Sequence, residues 1–281
     1  MQKKISNTLT YAILIVVVLV TLFPVFYTFC ASFKSNMEIL VDPASLFPKK
    51  LTFDNYKIAW NSDQFQIKYQ LANSIMYTVV CVLIQLAISS MAGFAFAKGN
   101  FPFKNAIFIA ISSLLFIQMG GITIYATFNI LNFLHIPRNL FSLMFLKIFA
   151  VPVVNIYMVR SYVMGLPDGL LESAKIDGCT FFGTYKKIVL PLLKPVLATI
   201  AIFAFQGSWN EYIMPTIFTL TQPRQRTLIV GLMSLKNGSG AATSWNLMLA
   251  GSVVTMIPVL VMFAVCNRYF IDGVAAGAVK G

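Results

Sequence analysis

Six apolar runs set the rhythm of this chain, at roughly residues 9–33, 71–97, 105–132, 140–163, 194–219 and 247–267. Each is long enough to supply the ~20 helical residues that cross the hydrocarbon of a bilayer. The pattern predicts an all-α integral membrane protein with six transmembrane helices. The first run follows Met-Gln-Lys-Lys, which looks like the basic start of a signal peptide. Its apolar stretch is too long for a signal core and no small-residue cleavage site closes it, so it reads as a retained anchor. The third run is interrupted by QMGGI (Gln118–Ile122), whose paired glycines permit a kink or a close helix approach. The fifth contains GSWNEYIMP (Gly207–Pro215), which predicts a bend or a locally unwound turn.

Polar segments separate the runs: 34–70, a short turn at Lys98–Lys104, another around Pro137, then 164–193, 220–246 and a tail at 268–281. An even number of spans puts both termini on one side. With the termini inside, Lys3, Lys4, Lys98, Lys104, Arg160, Lys175, Lys186, Lys187, Lys194, Arg268 and Lys280 face the cytoplasm. Positive charge near span ends sets orientation, so both termini and 164–193 are expected to be cytoplasmic. Segments 34–70 and 220–246 are then extracytoplasmic.

Composition agrees with the membrane reading. Of 281 residues 58% are hydrophobic and 11% charged, against about a quarter charged in soluble domains, and mean hydropathy is +0.78. The net charge of +12 fits cytoplasmic loops beside an anionic leaflet, and no basic, aromatic-interleaved patch points to nucleic acid. The four cysteines lack metal-ligand spacing and give no disulfide framework. The single histidine, His135, flanks a turn and reads as a surface or interface residue.

The stretch LLESAKIDGCTFFGTYKKIVLPLLKP (Leu170–Pro195) resembles none of the spans. Pro167 and Asp168 open a helix, with Asp168 placed to cap its free N–H groups. Leu170, Leu171 and Ala174 share one face and Glu172 and Lys175 another. Gly178 supplies a left-handed position after the helix. A second short helix carries Phe181, Phe182, Tyr185 and Ile188 before LPLLKP returns the chain to the membrane. Two short helices with an apolar stripe have little core of their own. They fit a groove in a partner or the bilayer surface equally well on helix physics alone.

These same residues resemble the EAA signature of ABC-importer permeases: Glu-Ala-Ala, a gap, Asp-Gly, then Ile-x-Leu-Pro. Glu172, Ala174, Asp177, Gly178, Ile188, Leu190 and Pro191 match, and Ser173 stands in for the first alanine. SWNEYIMP in the fifth run and the ending AAGAVKG resemble the carbohydrate-uptake branch, and the whole chain is similar to the smaller maltose permease subunit. The resemblance implies a sugar importer's permease in a bacterial cytoplasmic membrane. It implies a second permease, two ATP-binding cassette subunits that hold ATP and Mg, and an extracytoplasmic solute-binding protein. It further implies that Glu172, Ser173, Ala174, Asp177, Gly178, Ile188, Leu190 and Pro191 couple to the ATPase. On the same ground Asn237, Gly238, Ser239 and Gly240 meet the binding protein, and Gly277, Val279, Lys280 and Gly281 reach the interface between the ATPase subunits.

The chain carries no G-x-x-x-x-G-K-[ST] phosphate cradle and no Ser/His/Asp set, HExxH or clustered carboxylates. It is expected to be non-catalytic and to bind no cofactor of its own. A free-standing secondary transporter or channel is the rival class. That class would want an internal repeat or a series of intramembrane acids. Two ionisable residues lie well inside spans, Lys147 and Glu211, at similar depths from the outer ends of the fourth and fifth runs. Intramembrane charge costs about 2.5–3.5 kcal/mol on insertion scales. Glu211 reads as a cavity group for sugar hydroxyls, with Asn210, Trp209 and Gln118 beside it. Lys147 reads as structural, snorkelling to headgroups, and if it instead faced the cavity it would suit charged sugars such as alginate. Trp209 fits either a pyranose face or an interfacial anchor.

Overall fold

The computed structural model describes residues 2–61, 65–116, 120–236 and 244–278, with side chains over 10–61, 65–116, 123–236 and 244–266. Among the described residues every regular element is helical. In chain order these are α1 (Gln2–Ala31), α2 (Asn36–Val41), α3 (Asp54–Asn61), α4 (Ile67–Lys98), α5 (Lys104–Ser113), α6 (Gly120–Phe133) and α7 (Leu140–Lys147). Then follow α8 (Val153–Met164), α9 (Asp168–Ile176), α10 (Phe181–Leu192, with a π turn at Tyr185–Val189), α11 (Lys194–Trp209), α12 (Ile213–Phe218), α13 (Leu228–Lys236) and α14 (Trp245–Ala278).

Among the described residues three unbroken helices are long and apolar enough to cross a membrane: Thr10–Ala31, Ile67–Lys98 and Trp245–Cys266. The runs expected as the third, fourth and fifth spans are each divided. The third splits between α5 and α6, where Leu114, Leu115 and Phe116 form tight turns onto carbonyls three residues back. Gln118 lies outside the described residues. The fourth, read from sequence as continuous, breaks at 148–152. Pro152 lacks the N–H that would continue the helix and forces Val151 out of the helical region. In the fifth, α11 ends at Trp209 and α12 begins at Ile213, within GSWNEYIMP. A further bend of 77° separates α10 from α11.

The contact pattern divides the chain into two units, 1–71 with 228–258, and 72–227 with 259–281. In the first, the polar stretch after α1 folds around Lys34, which is fully buried. Its ammonium donates to the Ser45 carbonyl and to Ser45 Oγ at 2.7 Å, and lies 5.7 Å from the Tyr27 ring centroid. Asn55 Nδ2 ties the same turn by donating to the Ser32 and Lys34 carbonyls at 2.7 and 2.8 Å. Lys34, at the start of segment 34–70, is thus the centre of a small polar core.

In the second unit two apolar clusters form. One joins Phe94, Val159, Val163, Tyr185, Val189, Leu193, Val196 and Ile200. The other joins Tyr77, Cys81, Leu131, Leu140, Leu143, Met144 and Phe218. Lipid tails are as apolar as these side chains, so helix association here depends on close packing rather than on water exclusion. Gly93 makes that possible: a Cβ there would sit 2.5 Å from Val159 Cβ. α7 is started by a reciprocal cap in which Asn139 Oδ1 accepts from Ser142 N and Ser142 Oγ accepts from Asn139 N.

Candidate functional site: an ion pair between broken helices and a projecting hairpin

The two charges expected inside spans meet. Lys147 closes α7 and Glu211 lies in the unwound turn between α11 and α12, so both sit where a span is broken. Lys147 Nζ donates to Glu211 Oε1 and Oε2, both at 2.9 Å. Tyr77 Oη, from α4, donates to Oε2 at 2.6 Å. The side chains of the pair are 26% and 21% exposed, so the site is recessed without being sealed. A cation at a helix C-terminus is also favoured by the peptide dipoles. Lys147 therefore does not snorkel; its charge is taken up by Glu211.

The neighbours expected around Glu211 are held differently. Asn210 caps α11, and its Nδ2 donates to the Gln206 carbonyl at 2.9 Å. Trp209 is 2% exposed, with its ring stacked on Phe205 at 5.7 Å and 7°. Tyr77 was missed in the sequence, where one hydroxyl in an apolar run gives no signal of what it will meet.

At the other end of α4, three residues at successive helical turns grip the hairpin formed by α9 and α10. Ser90 Oγ and Tyr185 Oη are 2.8 Å apart, the Phe94 ring stacks on Phe181 at 4.6 Å, and Lys98 Nζ donates to Asp168 Oδ1 at 2.6 Å. The Lys98 ammonium holds the Asp168 carboxyl below its usual range, by its hydrogen bond first and its charge second. Asp168 is the first residue of α9 rather than its cap. Pro167 occupies the cap position, and no side chain bonds the free N–H groups there.

Between the two helices Gly178 adopts φ +74°. Its N–H bonds to the Lys175 carbonyl at 3.0 Å, and the Cys179 N–H to the Ala174 carbonyl at 2.9 Å. This is the paired-bond glycine turn anticipated after the first helix. Ala174 is buried, whereas Glu172, Ser173, Asp177 and Pro191 are exposed and Ile188 and Leu190 half-buried. Leu170, Ile176, Phe181 and Phe182 stand out with 43–85% of their surface free. A small cavity of about 150 Å³ between α4 and α9 is lined by Phe94, Lys98, Asp168, Leu171, Glu172, Lys175 and Thr184. Asn237, Gly238, Ser239 and Gly240, and Val279, Lys280 and Gly281, lie outside the described residues. Gly277 is in the last turns of α14.

A helical membrane chain with interrupted apolar helices, an ion pair at the interruptions and a projecting polar hairpin has the build of a transporter's membrane-spanning subunit. The chain belongs to the family described as binding-protein-dependent transport system inner membrane component, whose pattern matches residues 2–272. It is 32% identical over 286 residues to the arabinooligosaccharides transport system permease protein AraQ of Halalkalibacterium halodurans, covering 100% of both chains. It is 30% identical to the diacetylchitobiose uptake system permease protein DasC of Streptomyces coelicolor, covering 92% of each. It is 29% identical to the sn-glycerol-3-phosphate transport system permease protein UgpE of Yersinia pestis, covering 94% of each. The fold matches a chain from the crystal structure of a bacterial ABC transporter involved in import of the acidic polysaccharide alginate, with a TM-score of 0.82. That match covers 96% of this chain and 98% of the other at 23% identity.

Proposed function

We propose that this chain is one permease subunit of an ATP-driven, binding-protein-dependent importer of an uncharged oligosaccharide in a bacterial cytoplasmic membrane. It forms half of a translocation path that opens alternately to either side. Both termini are cytoplasmic and the six apolar runs make six crossings, three of them through broken helices. A second, homologous permease supplies the other half of the path, and two ATP-binding cassette subunits carry ATP and Mg.

The observation that carries this reading is the α9–α10 hairpin. It is fastened to α4 by an ion pair, a ring stack and a hydroxyl pair, yet it leaves Leu170, Ile176, Phe181 and Phe182 uncovered. Fastened behind and apolar in front, it is suited to a groove in an ATPase subunit. Glu172 faces a basic side chain there. Segment 237–240 reaches the binding protein, and the tail, including Gly277, Val279, Lys280 and Gly281, runs between the ATPase subunits.

Glu211, with Lys147 and Tyr77, lines the path for sugar hydroxyls, and Asn210, Trp209 and Gln118 complete the lining when the broken spans rearrange. An acidic sugar would need Lys147 free. Glu211 holds it, and arabinooligosaccharides and diacetylchitobiose, named for two relatives, are uncharged. Co-purification tests the class. The chain expressed with its cognate transporter subunits should carry two ATPase subunits, and ATP hydrolysis should rise when sugar-loaded binding protein is added. Uptake by this chain alone, without a nucleotide-binding partner, would make it a secondary transporter instead.

A further inference from the structure

α4 has two faces. Ile75, Val79 and Leu83 form an exposed apolar stripe. At about 100° per residue, Tyr77, Cys81 and Gln85 fall within a sector of roughly 80° on the other side. Gln85 is the only amide on this helix between the two sites described above. It lies eight residues beyond Tyr77, about 12 Å along the axis at 1.5 Å per residue. Asn155, in α8, donates from Nδ2 to Gln85 Oε1 at 3.2 Å, and both side chains are half-buried.

We propose that Gln85 and Asn155 form a second contact site for sugar hydroxyls, one step inward of the Lys147–Glu211 pair; this rests on the path assignment above. Polar groups in a span face protein or water rather than lipid, and the apolar stripe of α4 already supplies its lipid or subunit side. After their mutual bond each amide keeps free donor and acceptor capacity. A sugar hydroxyl both donates and accepts, so an uncharged amide pair matches it without adding a charge to the path. Two polar rungs about 12 Å apart on one helix face, by the same rise, give a short oligosaccharide a second hold before the first is released. An amide pair that only joined α4 to α8 would be replaceable by packed leucines.

The test uses the complete importer in proteoliposomes, with arabinotriose and diacetylchitobiose as probes and trigalacturonate as the acidic control. The parent complex should take up at least one of the two uncharged sugars and not the control. Failure of all uptake would defeat the importer reading itself, and the site with it. In a background with Cys30, Cys81, Cys179 and Cys266 replaced by serine, Asn155→Cys should react with a membrane-impermeant thiol reagent. The transported sugar should slow that reaction. The combined Gln85→Leu and Asn155→Leu complex should assemble but lose about tenfold or more in uptake, as two hydrogen bonds of about 1 kcal/mol each imply. The exchanged pair, Gln85→Asn with Asn155→Gln, should keep most of it. Full uptake by the leucine pair, an Asn155→Cys thiol that never reacts, or reaction unaffected by a sugar the parent transports would each overturn the proposal.

Discussion

Gly178 allows a clean test of the hairpin because the cost of changing it comes from the backbone alone. A Cβ built there meets nothing within 4 Å, so no clash is introduced. What remains is φ +74°, which costs an ordinary L-residue about 1–2 kcal/mol and a β-branched residue more. Asparagine tolerates this region through its short polar side chain, so it should lose least. The two turn bonds, to Lys175 and Ala174, hold only in this conformation. A variant that leaves it swings Phe181 and Phe182 relative to α9. If the docking-competent turn falls in population, the apparent affinity for the ATPase falls by the same fraction, roughly 5- to 30-fold for a penalty of 1–2 kcal/mol. The assay is binding-protein-stimulated ATPase activity of the assembled importer in nanodiscs, titrated with the ATPase subunit. The expected order is Gly178 wild type, then Gly178→Asn, Gly178→Ala and Gly178→Val. Equal stimulation for valine and glycine would refute the reasoning. So would an asparagine variant as damaged as the valine one, because the conformation would not then be the cause.

Four further outcomes follow from the other contacts. Lys147→Met or Glu211→Gln alone should lower thermal stability of the purified complex by about 1–3 kcal/mol, below the 3–5 of a fully buried pair because this one is partly exposed; the double variant should recover part of that loss. Tyr77→Phe removes one hydrogen bond to a carboxylate and should cost about 1.5–3 kcal/mol in the same melt, falling to about 0.5–1.5 kcal/mol in the Glu211→Gln, Lys147→Met background, where the amide oxygen still accepts but carries no charge. Asp168 has a depressed carboxyl, so the Lys98 pair contributes at neutral pH and is lost as pH falls through that lowered value; Asp168→Asn should therefore flatten the acid limb of a stability–pH curve measured by thermal melts. Deleting 237–241 should abolish stimulation by the binding protein while co-purification with the ATPase subunits stays intact.

The long apolar helices were legible from hydropathy because a bilayer span needs little more than length and apolarity. The hairpin was legible for another reason: Gly178 and the residues before it write a local helix-and-turn signal that needs no tertiary partner. The break in the fourth run was carried by Pro152, yet hydrophobicity alone passes straight over a proline in an apolar stretch. Lys147 and Glu211 could be singled out as costly, but their pairing joins positions 64 residues apart and depends on two helix interruptions. The burial of Lys34 was out of reach for the same reason. The Ser45 and Asn55 groups that bury its surroundings become neighbours only once the chain after α1 folds back.

The position of these features on α4 says how they work together. From Tyr77 to Lys98 this helix is unbroken, and it touches the Lys147–Glu211 pair near one end and the α9–α10 hairpin at the other. Its partners are not continuous. Lys147 and Asn155 lie on either side of the break at 148–152, and Glu211 lies in the turn after α11. A hairpin displaced by an ATPase subunit would carry the Lys98 end of α4 with it through Ser90, Phe94 and Lys98. An unbroken helix passes that displacement along its length, while the interrupted spans can change direction at a few backbone dihedrals. Relative movement would then concentrate where the polar side chains meet, at Tyr77 with Glu211 and at Gln85 with Asn155. On the proposed path, those are the places where a sugar would be gripped and released. In that reading the broken helices would supply the hinge and the intact α4 the lever.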